Sequence, residues 1–177
     1  GVKSFLESRG IELPMGDPTD SPEKETICGI GNRKNHVFNE TLKKNGVEVF
    51  ESTVALIKEM KRRDVRIGVA SSSKNCLPVL QAAGIENLFE TRVDGVESAK
   101  LGLKGKPEPD IFTTAADNLG VSYNKTAIIE DAVSGVAAGK KGNFGLVLGL
   151  ARENNKNELR AAGADIVVSD LEEFVLD

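Results

Sequence analysis

Short apolar runs rich in β-branched residues alternate with helical patterns along most of the chain, and this alternation limits the possible folds more than any other feature. The strand-like runs cover residues 65–70, 89–93, 126–129, 144–148 and 166–168. Parallel strands need long crossover connections, usually helices, which cover both faces of the sheet. The order therefore predicts an α/β protein with a doubly wound parallel sheet, a Rossmann-like core, over residues 49–177.

The N-terminal segment carries no strand pattern and predicts short helices joined by a proline-containing loop. Gly29 and Gly31 predict a break in the helical pattern, and Asn32 can cap a second helix after it. Arg33 lies at this predicted turn, where it could meet an anionic substrate or simply be solvated. We expect residues 1–48 to form a small helical cap, too short to be an independent domain, beside the larger core.

The composition of the chain excludes several classes of protein. The formal net charge is -4, with no Trp and one Tyr, so nucleic acid is not an expected partner. No apolar run is long enough to cross a bilayer and no signal peptide begins the chain, which predicts a cytoplasmic protein without membrane contact. Cys28 and Cys76 stand outside any CxxC pair, which favours reduced thiols over a disulfide or a zinc site. The oligomeric state stays open.

Two adjacent carboxylates, Glu130 and Asp131, follow one strand-like run and precede a helical pattern. Ligands of open parallel sheets bind beyond the carboxyl ends of the strands, so chemistry is expected here. Adjacent carboxylates repel each other unless a cation lies beside them. Mg²⁺ suits this pair, because it often takes one or two protein carboxylates together with a substrate phosphate. The alternative is that Asp131 only caps the following helix.

A polar segment from Ser71 to Asn75 lies between another strand-like run and the next helical pattern. Free amides at a helix N-terminus carry partial positive charge, and serine hydroxyls add neutral donors around a tetrahedral anion. The segment thus has the composition of a phosphate-binding loop. A serine cap in an ordinary polar loop is the alternative.

Lys106 stands between Gly105 and Pro107, shortly before the helical pattern at 110–119. Pro107 biases the lysine toward an extended conformation, and Pro109 suits the start of the next helix. A lysine held in this way can pair with both a carboxylate and a phosphoryl oxygen as a compact charge. Taken alone, it could equally be an exposed loop lysine.

These three segments share one predicted edge of the sheet, and in this order they resemble the haloacid dehalogenase (HAD) superfamily, within it the β-phosphoglucomutase-like phosphatases and mutases. Residues 70–75 (ASSSKN) resemble the second motif of that family and residues 105–110 (GKPEPD) the third. Residues 129–139, with the two carboxylates and small residues after them, resemble the fourth. The resemblance covers residues 49–177 well and implies a HAD-like fold with a helical cap.

The resemblance also implies a role for each matched residue. Ser71 would bind the transferring phosphoryl group, and Lys106 would neutralise the charge of the nucleophile and the phosphate. Glu130 and Asp131 would hold Mg²⁺, directly or through water. Substrate contacts are implied for the cap turn and the rest of the polar segment, namely Arg33, Ser72, Ser73, Lys74 and Asn75.

The first motif of the family, Asp-x-Asp-Gly, occurs nowhere in the sequence. In the family it supplies an aspartate nucleophile and an acid/base aspartate from the central strand. Asp94-Gly95 is no replacement, because Arg92 stands where the nucleophile would be. The family places this motif before the cap, and the chain begins at Gly1 inside a helical pattern. We therefore expect the N-terminal strand to lie outside this sequence and the sheet to lack its middle strand.

For the complete protein these observations predict Mg²⁺-dependent phosphoryl transfer on a small sugar phosphate through an aspartyl-phosphate intermediate. Phosphatase and mutase activities are not separated, and the fragment alone is expected to be inactive. One alternative is a non-catalytic phosphate-binding remnant or interaction module, which would bind phosphate or Mg²⁺ without turnover. Another is a receiver-like signalling domain, which shares the sheet but leaves the helical cap unexplained.

Overall fold

The computed structural model describes residues 2–173 of the chain. The helices in this part are α1 (Val2–Glu7), α2 (Ile27–Asn45), α3 (Glu51–Arg62), α4 (Cys76–Ala82), α5 (Gly95–Leu101), α6 (Asp110–Leu119), α7 (Val133–Lys141) and α8 (Lys156–Ala161). The strands are β1 (Gly68–Ala70), β2 (Thr91–Val93), β3 (Ala127–Glu130), β4 (Leu146–Leu150) and β5 (Ile166–Val168). Among the described residues, no helix has the length and apolar character to cross a membrane. The chain forms two compact units, Gly1–Val47 and Glu48–Asp177.

In the first unit, the predicted break at Gly29 and Gly31 is wrong. α2 begins after Thr26, whose hydroxyl accepts a hydrogen bond from the Gly29 amide at 2.9 Å, and it continues through both glycines to Asn45. Gly29 is buried, and a Cβ there would lie 2.2 Å from the carbonyl oxygen of Lys24. This glycine therefore permits close packing of the preceding loop and does not make a turn. Arg33 lies inside the helix, exposed.

The loop before α2 is held by the buried carboxylate of Asp20. It accepts hydrogen bonds from the Lys24 ammonium at 2.5 Å and the Thr26 hydroxyl at 2.7 Å, and these donors hold the pKa of Asp20 below its ordinary value. The side-chain amide of Asn32 donates to the carbonyls of Pro18 and Asp20 at 3.0 and 2.8 Å. Asn32 therefore anchors the loop, where the sequence predicted a helix cap.

The strands of the second unit pair in parallel and form two sheets. β1 pairs with β2, with Gly68 opposite Thr91. β4 lies between β3 and β5, with Ile128 of β3 opposite Val147 of β4. Within residues 2–173 no strand connects β1 to β3, so each of them has one edge without a strand partner.

The side chains of β4 show that both faces of its sheet are covered. Val147 is fully buried in a core with side chains from α6, α7 and α8. Leu148 and Leu150 point to the opposite face, because side chains alternate along a strand, and pack in a second core with Leu56 of α3. Fully burying a side chain of this size contributes roughly 1.5 to 3 kcal/mol. The doubly wound α/β arrangement predicted from the sequence is confirmed.

Two predicted elements, α6 and β5, have the bounds that the sequence indicates. β4 begins two residues later than predicted, because Phe144 packs in an aromatic cluster and does not extend the strand. Its ring centroid lies 6.2 Å from that of Phe112, edge to face, and 5.4 Å from that of Tyr123. Helix α5 was not predicted.

Candidate active site

The carboxyl ends of β1 and β3 open into one cleft of about 590 Å³. Ser71 and the two serines after it line the cleft beyond β1, and Glu130 and Asp131 line it at the end of β3. Lys106 reaches the same cleft from the loop before α6. The structure therefore brings together the three segments that the sequence analysis selected.

Lys106 and Glu130 form an ion pair in this cleft. The ammonium nitrogen donates to Oε1 of Glu130, and the two side chains are only 14% and 9% exposed. The same nitrogen lies 4.9 Å from the centroid of the Phe112 ring, a cation–π contact. Desolvation of each ion costs several kcal/mol, so a pair this far buried requires each charge to be compensated. The cleft thus contains a positive charge held in a fixed place.

The second carboxylate oxygen of Glu130 accepts a hydrogen bond from the Ala132 amide at 2.9 Å. The carboxylate packs against Gly135 in the first turn of α7, where a Cβ would lie 2.2 Å from Oε1. Any larger residue at this position would displace the carboxylate. Gly135 is therefore a positioning residue, a role that becomes visible only once the fold brings the two residues together.

Asp131 lines the cleft with an exposed side chain. Its carbonyl oxygen accepts a hydrogen bond from the side-chain amide of Asn155 at 3.2 Å. The N-cap residue of α7 is Ala132, which makes no side-chain capping bond. The alternative that Asp131 only caps this helix is therefore wrong.

The carboxylates of the cleft suit Mg²⁺ better than a cation that needs many protein ligands, such as Ca²⁺. Within residues 2–173, no group of three or more His, Cys, Asp and Glu side chains could hold a metal ion. Glu130 already accepts from Lys106 and Ala132, which leaves Asp131 as the exposed carboxylate. Mg²⁺ keeps several waters and is bound through one or two carboxylates, whereas Ca²⁺ takes six to eight oxygen ligands.

The polar segment after β1 folds back on itself. The Ser71 hydroxyl accepts the Ser73 amide hydrogen at 3.2 Å, and the Ser73 hydroxyl accepts that of Asn75 at 3.1 Å. Both are local turns of the kind that serine hydroxyls stabilise.

Next to the segment, burial and then the Asp94 carboxylate raise the pKa of the Cys76 thiol. A buried thiol of this kind is inert, as expected for an ordinary reduced cysteine.

Three predicted substrate-binding residues do not share this position. Lys74 and Asn75 continue the polar segment but do not line the cleft. Arg33 lies on α2, in the other compact unit. Substrate contacts of these three residues, like those of Ser72 and Ser73, stay predictions.

Helix α5 supports the polar segment, although the sequence analysis missed it. The Gly95 amide donates to the Ser73 carbonyl at 3.1 Å, and a Cβ at Gly95 would lie 2.6 Å from the Ser72 carbonyl oxygen. Asp94, buried, caps the helix by accepting the amide hydrogen of Glu97 at 3.1 Å. The sequence held the signal, since Asp94 with Glu97 three residues later matches a capping box.

The charge state of Asp94 follows from these contacts. Burial raises the pKa of its carboxyl, but the amides of Glu97 and Val96 and the Arg92 guanidinium outweigh burial and hold the pKa below its ordinary value. The Arg92 Nε lies 2.8 Å from the carboxylate. Asp94 is therefore an ionised structural cap.

Arg152 is a cleft residue that the sequence analysis missed. It lies two residues after β4 ends and lines the same cleft. Its guanidinium carbon is 3.3 Å from the centroid of the Phe50 ring, and Nη2 donates to the Thr53 hydroxyl at 3.3 Å. A polar residue just beyond an apolar strand was the signal that selected Glu130, and the same signal was present here.

Comparisons with known proteins agree with this geometry. The family model of haloacid dehalogenase-like hydrolases matches residues 15–143. The chain is 42% identical over 178 residues to the β-phosphoglucomutase of Mycobacterium bovis, covering 99% of this chain and 68% of that protein.

Solved structures of related proteins share the fold. The β-phosphoglucomutase of Clostridium difficile matches with a TM-score of 0.75 at 24% identity, over 99% of this chain and 73% of that chain. CbbY of Rhodobacter sphaeroides, in complex with xylulose-(1,5)bisphosphate, matches with a TM-score of 0.75 at 25% identity, over 98% and 74%. The fold is HAD-like, and the chain belongs to the haloacid dehalogenase-like hydrolase family, as an enzyme of its β-phosphoglucomutase-like type.

Proposed function

We propose that the complete protein catalyses Mg²⁺-dependent phosphoryl transfer on a small sugar phosphate through an aspartyl-phosphate intermediate. The observation that carries this proposal is the cleft in which Lys106, paired with Glu130, lies with Ser71 and Asp131 at the carboxyl ends of β1 and β3. Phosphoryl transfer is catalysed mainly by positioning and charge neutralisation, which such a cleft can supply. The proposal keeps the cytoplasmic location expected from the sequence.

Each of the four candidate residues in the cleft would have its own role in phosphoryl transfer. Ser71 donates a hydrogen bond to an oxygen of the phosphoryl group, and the Lys106 ammonium neutralises negative charge as the group moves. Glu130 keeps that ammonium in place, as the ion pair indicates. Asp131, with Glu130 directly or through water, would hold Mg²⁺, which neutralises phosphoryl oxygens when bound.

The nucleophile in this proposal is an aspartate outside the 177 residues, since the sequence contains no Asp-x-Asp. Asp94 is unsuited, because it is buried and its carboxylate caps α5. Within residues 2–173, β1 and β3 each have an edge without a strand partner, which supports a place there for a strand that carries the motif. A parallel strand between those edges would end beside Ser71 and Asp131, since ligand sites lie beyond the strand ends.

The proposed reaction has two steps. A carboxylate oxygen of the nucleophile attacks phosphorus, the bond from phosphorus to the sugar oxygen breaks, and that oxygen takes a proton from an acid. Water or a sugar hydroxyl then attacks the aspartyl phosphate, loses its proton, and releases the carboxylate. Water as acceptor makes the protein a phosphatase, and a sugar hydroxyl makes it a mutase.

The test is to incubate the full-length protein with β-glucose 1-phosphate and Mg²⁺ and to measure glucose 6-phosphate and inorganic phosphate in the same reaction. The similarity to β-phosphoglucomutases favours glucose 6-phosphate as the main product. Release of equal amounts of glucose and phosphate would assign a phosphatase. Phosphate binding with neither product, across a panel of sugar phosphates, would contradict the proposal and support the non-catalytic alternative.

A further inference from the structure

We propose that Asn155 is a positioning residue of the cleft, which holds the backbone of Asp131 and so orders the carboxylate of Asp131 before Mg²⁺ binds. The inference rests on the proposed function for the identity of the ion. Its own basis is one hydrogen bond between distant segments, together with two hydrogen bonds that Asn155 could make elsewhere and does not.

The hydrogen bond joins the segments that follow two neighbouring strands. Asn155 comes after β4, which ends at Leu150, and its side-chain nitrogen donates to the carbonyl oxygen of Asp131 at 3.2 Å. β3 and β4 pair in parallel, so the segments after them leave the sheet at the same edge. A carbonyl oxygen only accepts hydrogen bonds, so the amide nitrogen of Asn155, and not Oδ1, must face it. Asn155 therefore ties Asp131 to the segment after β4.

The turn that carries Asp131 is held by hydrogen bonds at two points. Oε2 of Glu130 accepts the amide hydrogen of Ala132 at 2.9 Å, and the same carboxylate is paired with Lys106. Asn155 supplies the second point, at the carbonyl of Asp131 itself. The side chain of Asp131 is exposed, so these backbone contacts, and not packing of the side chain, order its carboxylate.

Asn155 makes this contact in place of capping its own helix. It is the N-cap residue of α8, where an asparagine oxygen normally accepts a backbone amide hydrogen of the first turn, yet its side chain makes no capping bond. Its Oδ1 atom is buried and has no hydrogen-bond partner within residues 2–173. A buried polar atom without a partner destabilises the folded state. The placement of Asn155 therefore serves Asp131 and not the stability of α8, as is common at functional sites.

Ordering of Asp131 before the ion arrives favours Mg²⁺ binding, because the free-energy cost of ordering the ligand no longer falls on the binding step. Loss of a residue that orients a metal ligand typically lowers metal affinity or activity by about 10- to 100-fold. Asn155 bonds the backbone of Asp131 and not its carboxylate, so the lower end of this range is expected.

Three variants of the full-length protein, none of which changes the net charge, separate this role from a structural one. Asn155→Ser keeps a good cap residue but is too short to reach Asp131. Asn155→Leu keeps a similar volume without any polar atom. Asn157→Ser, at an exposed asparagine of α8, is the control. Mg²⁺ affinity is measured by titration calorimetry, whereas the melting temperature and the hydrogen exchange of the Ala132 amide are measured in EDTA.

Both Asn155 variants should weaken Mg²⁺ binding about tenfold. The Ala132 amide should exchange about threefold faster in EDTA, the factor expected when one ordinary hydrogen bond of the turn is lost. The melting temperatures should equal or exceed that of the wild type, because serine can cap α8 and leucine removes the unpaired oxygen. Asn157→Ser should match the wild type in all three measurements.

Unchanged Mg²⁺ affinity in both Asn155 variants of a protein that binds Mg²⁺ would overturn the inference, whatever their melting temperatures, since a purely structural residue would change only stability. The outcome is separable from that of the proposed function. A wild-type protein that binds no Mg²⁺ would refute the proposed metal site, and faster exchange of Ala132 in the variants would still support the positioning of Asp131. Mg²⁺-dependent turnover with an Mg²⁺ affinity that does not depend on Asn155 would overturn the inference alone.

Discussion

At the scale of single residues, the ion pair of Lys106 and Glu130 is the contact that most affects the chemistry proposed for the cleft. The sequence analysis selected both residues but expected Glu130 to hold Mg²⁺ and Lys106 to neutralise the charge of the nucleophile and the phosphate. The structure adds that the two bind each other, which makes Asp131 the more available carboxylate. No local pattern could predict this contact, because the fold alone brings together residues 24 positions apart.

Replacing Lys106 with alanine should lower kcat far more than it raises KM, because the ammonium charge matters most as the phosphoryl group transfers. The free energy of unfolding should fall by about 3 kcal/mol, since a largely buried Glu130 would be left without its cation. Steady-state kinetics and urea unfolding of the full-length protein measure the two effects.

Lys141→Ala is the matched control for this prediction. Lys141 pairs with Glu108 at 2.6 Å, but the two side chains are 55% and 34% exposed. An exposed pair contributes about 1 kcal/mol at most, and Lys141 is outside the cleft. If the two variants were equally stable and equally active, the role assigned to Lys106 would be wrong.

At the scale of elements, the support of the polar segment by α5 sets the shape of the cleft wall beyond β1. Gly95 is the first residue of α5 and contacts the backbone of Ser72 and Ser73 so closely that no side chain fits. The position of the serines therefore depends on a helix that was not predicted.

Gly95→Ala should lower kcat/KM at least about tenfold, because the added Cβ must push the Ser72 carbonyl away and displacements near 1 Å can cost about a hundredfold. Val96→Ala, in the same turn but 55% exposed, should change neither activity nor melting temperature noticeably. Activity of Gly95→Ala at the level of Val96→Ala would show that the segment does not depend on this packing.

Elements with strong local patterns were predicted, whereas α5, whose signal is only a capping box, and the positions set by packing contacts were not. α6 and β5 have strong periodic or β-branched patterns and ended where expected. The break predicted at Gly29 was wrong, because the glycine lies inside α2 and leaves room for the Lys24 carbonyl to pack against the helix. Phe144 looked like the start of β4, yet it packs in an aromatic cluster. In both failures, a packing contact outweighed the local signal.

At the scale of the whole molecule, the topology of the larger unit determines where the cleft lies. β1 and β3 belong to different sheets, and each has one edge without a strand partner in the described part of the chain. Their carboxyl ends line one cleft. The sequence motifs predicted this meeting point because the ends of parallel strands lie at a common edge. Gly1–Val47 forms a compact unit of its own, and Arg33, for which the sequence predicts a substrate contact, lies in that unit.

The most direct test of the central claim is the Mg²⁺-dependent release of product by the full-length protein carrying Asp131→Asn, with Asp64→Asn, an exposed turn residue, as control. We expect Asp131→Asn to lower turnover about a hundredfold or more without changing the melting temperature, because a metal ion contributes several kcal/mol to charge stabilisation. Asp64→Asn should behave as the wild type. Unchanged turnover and unchanged Mg²⁺ dependence in Asp131→Asn would contradict the account.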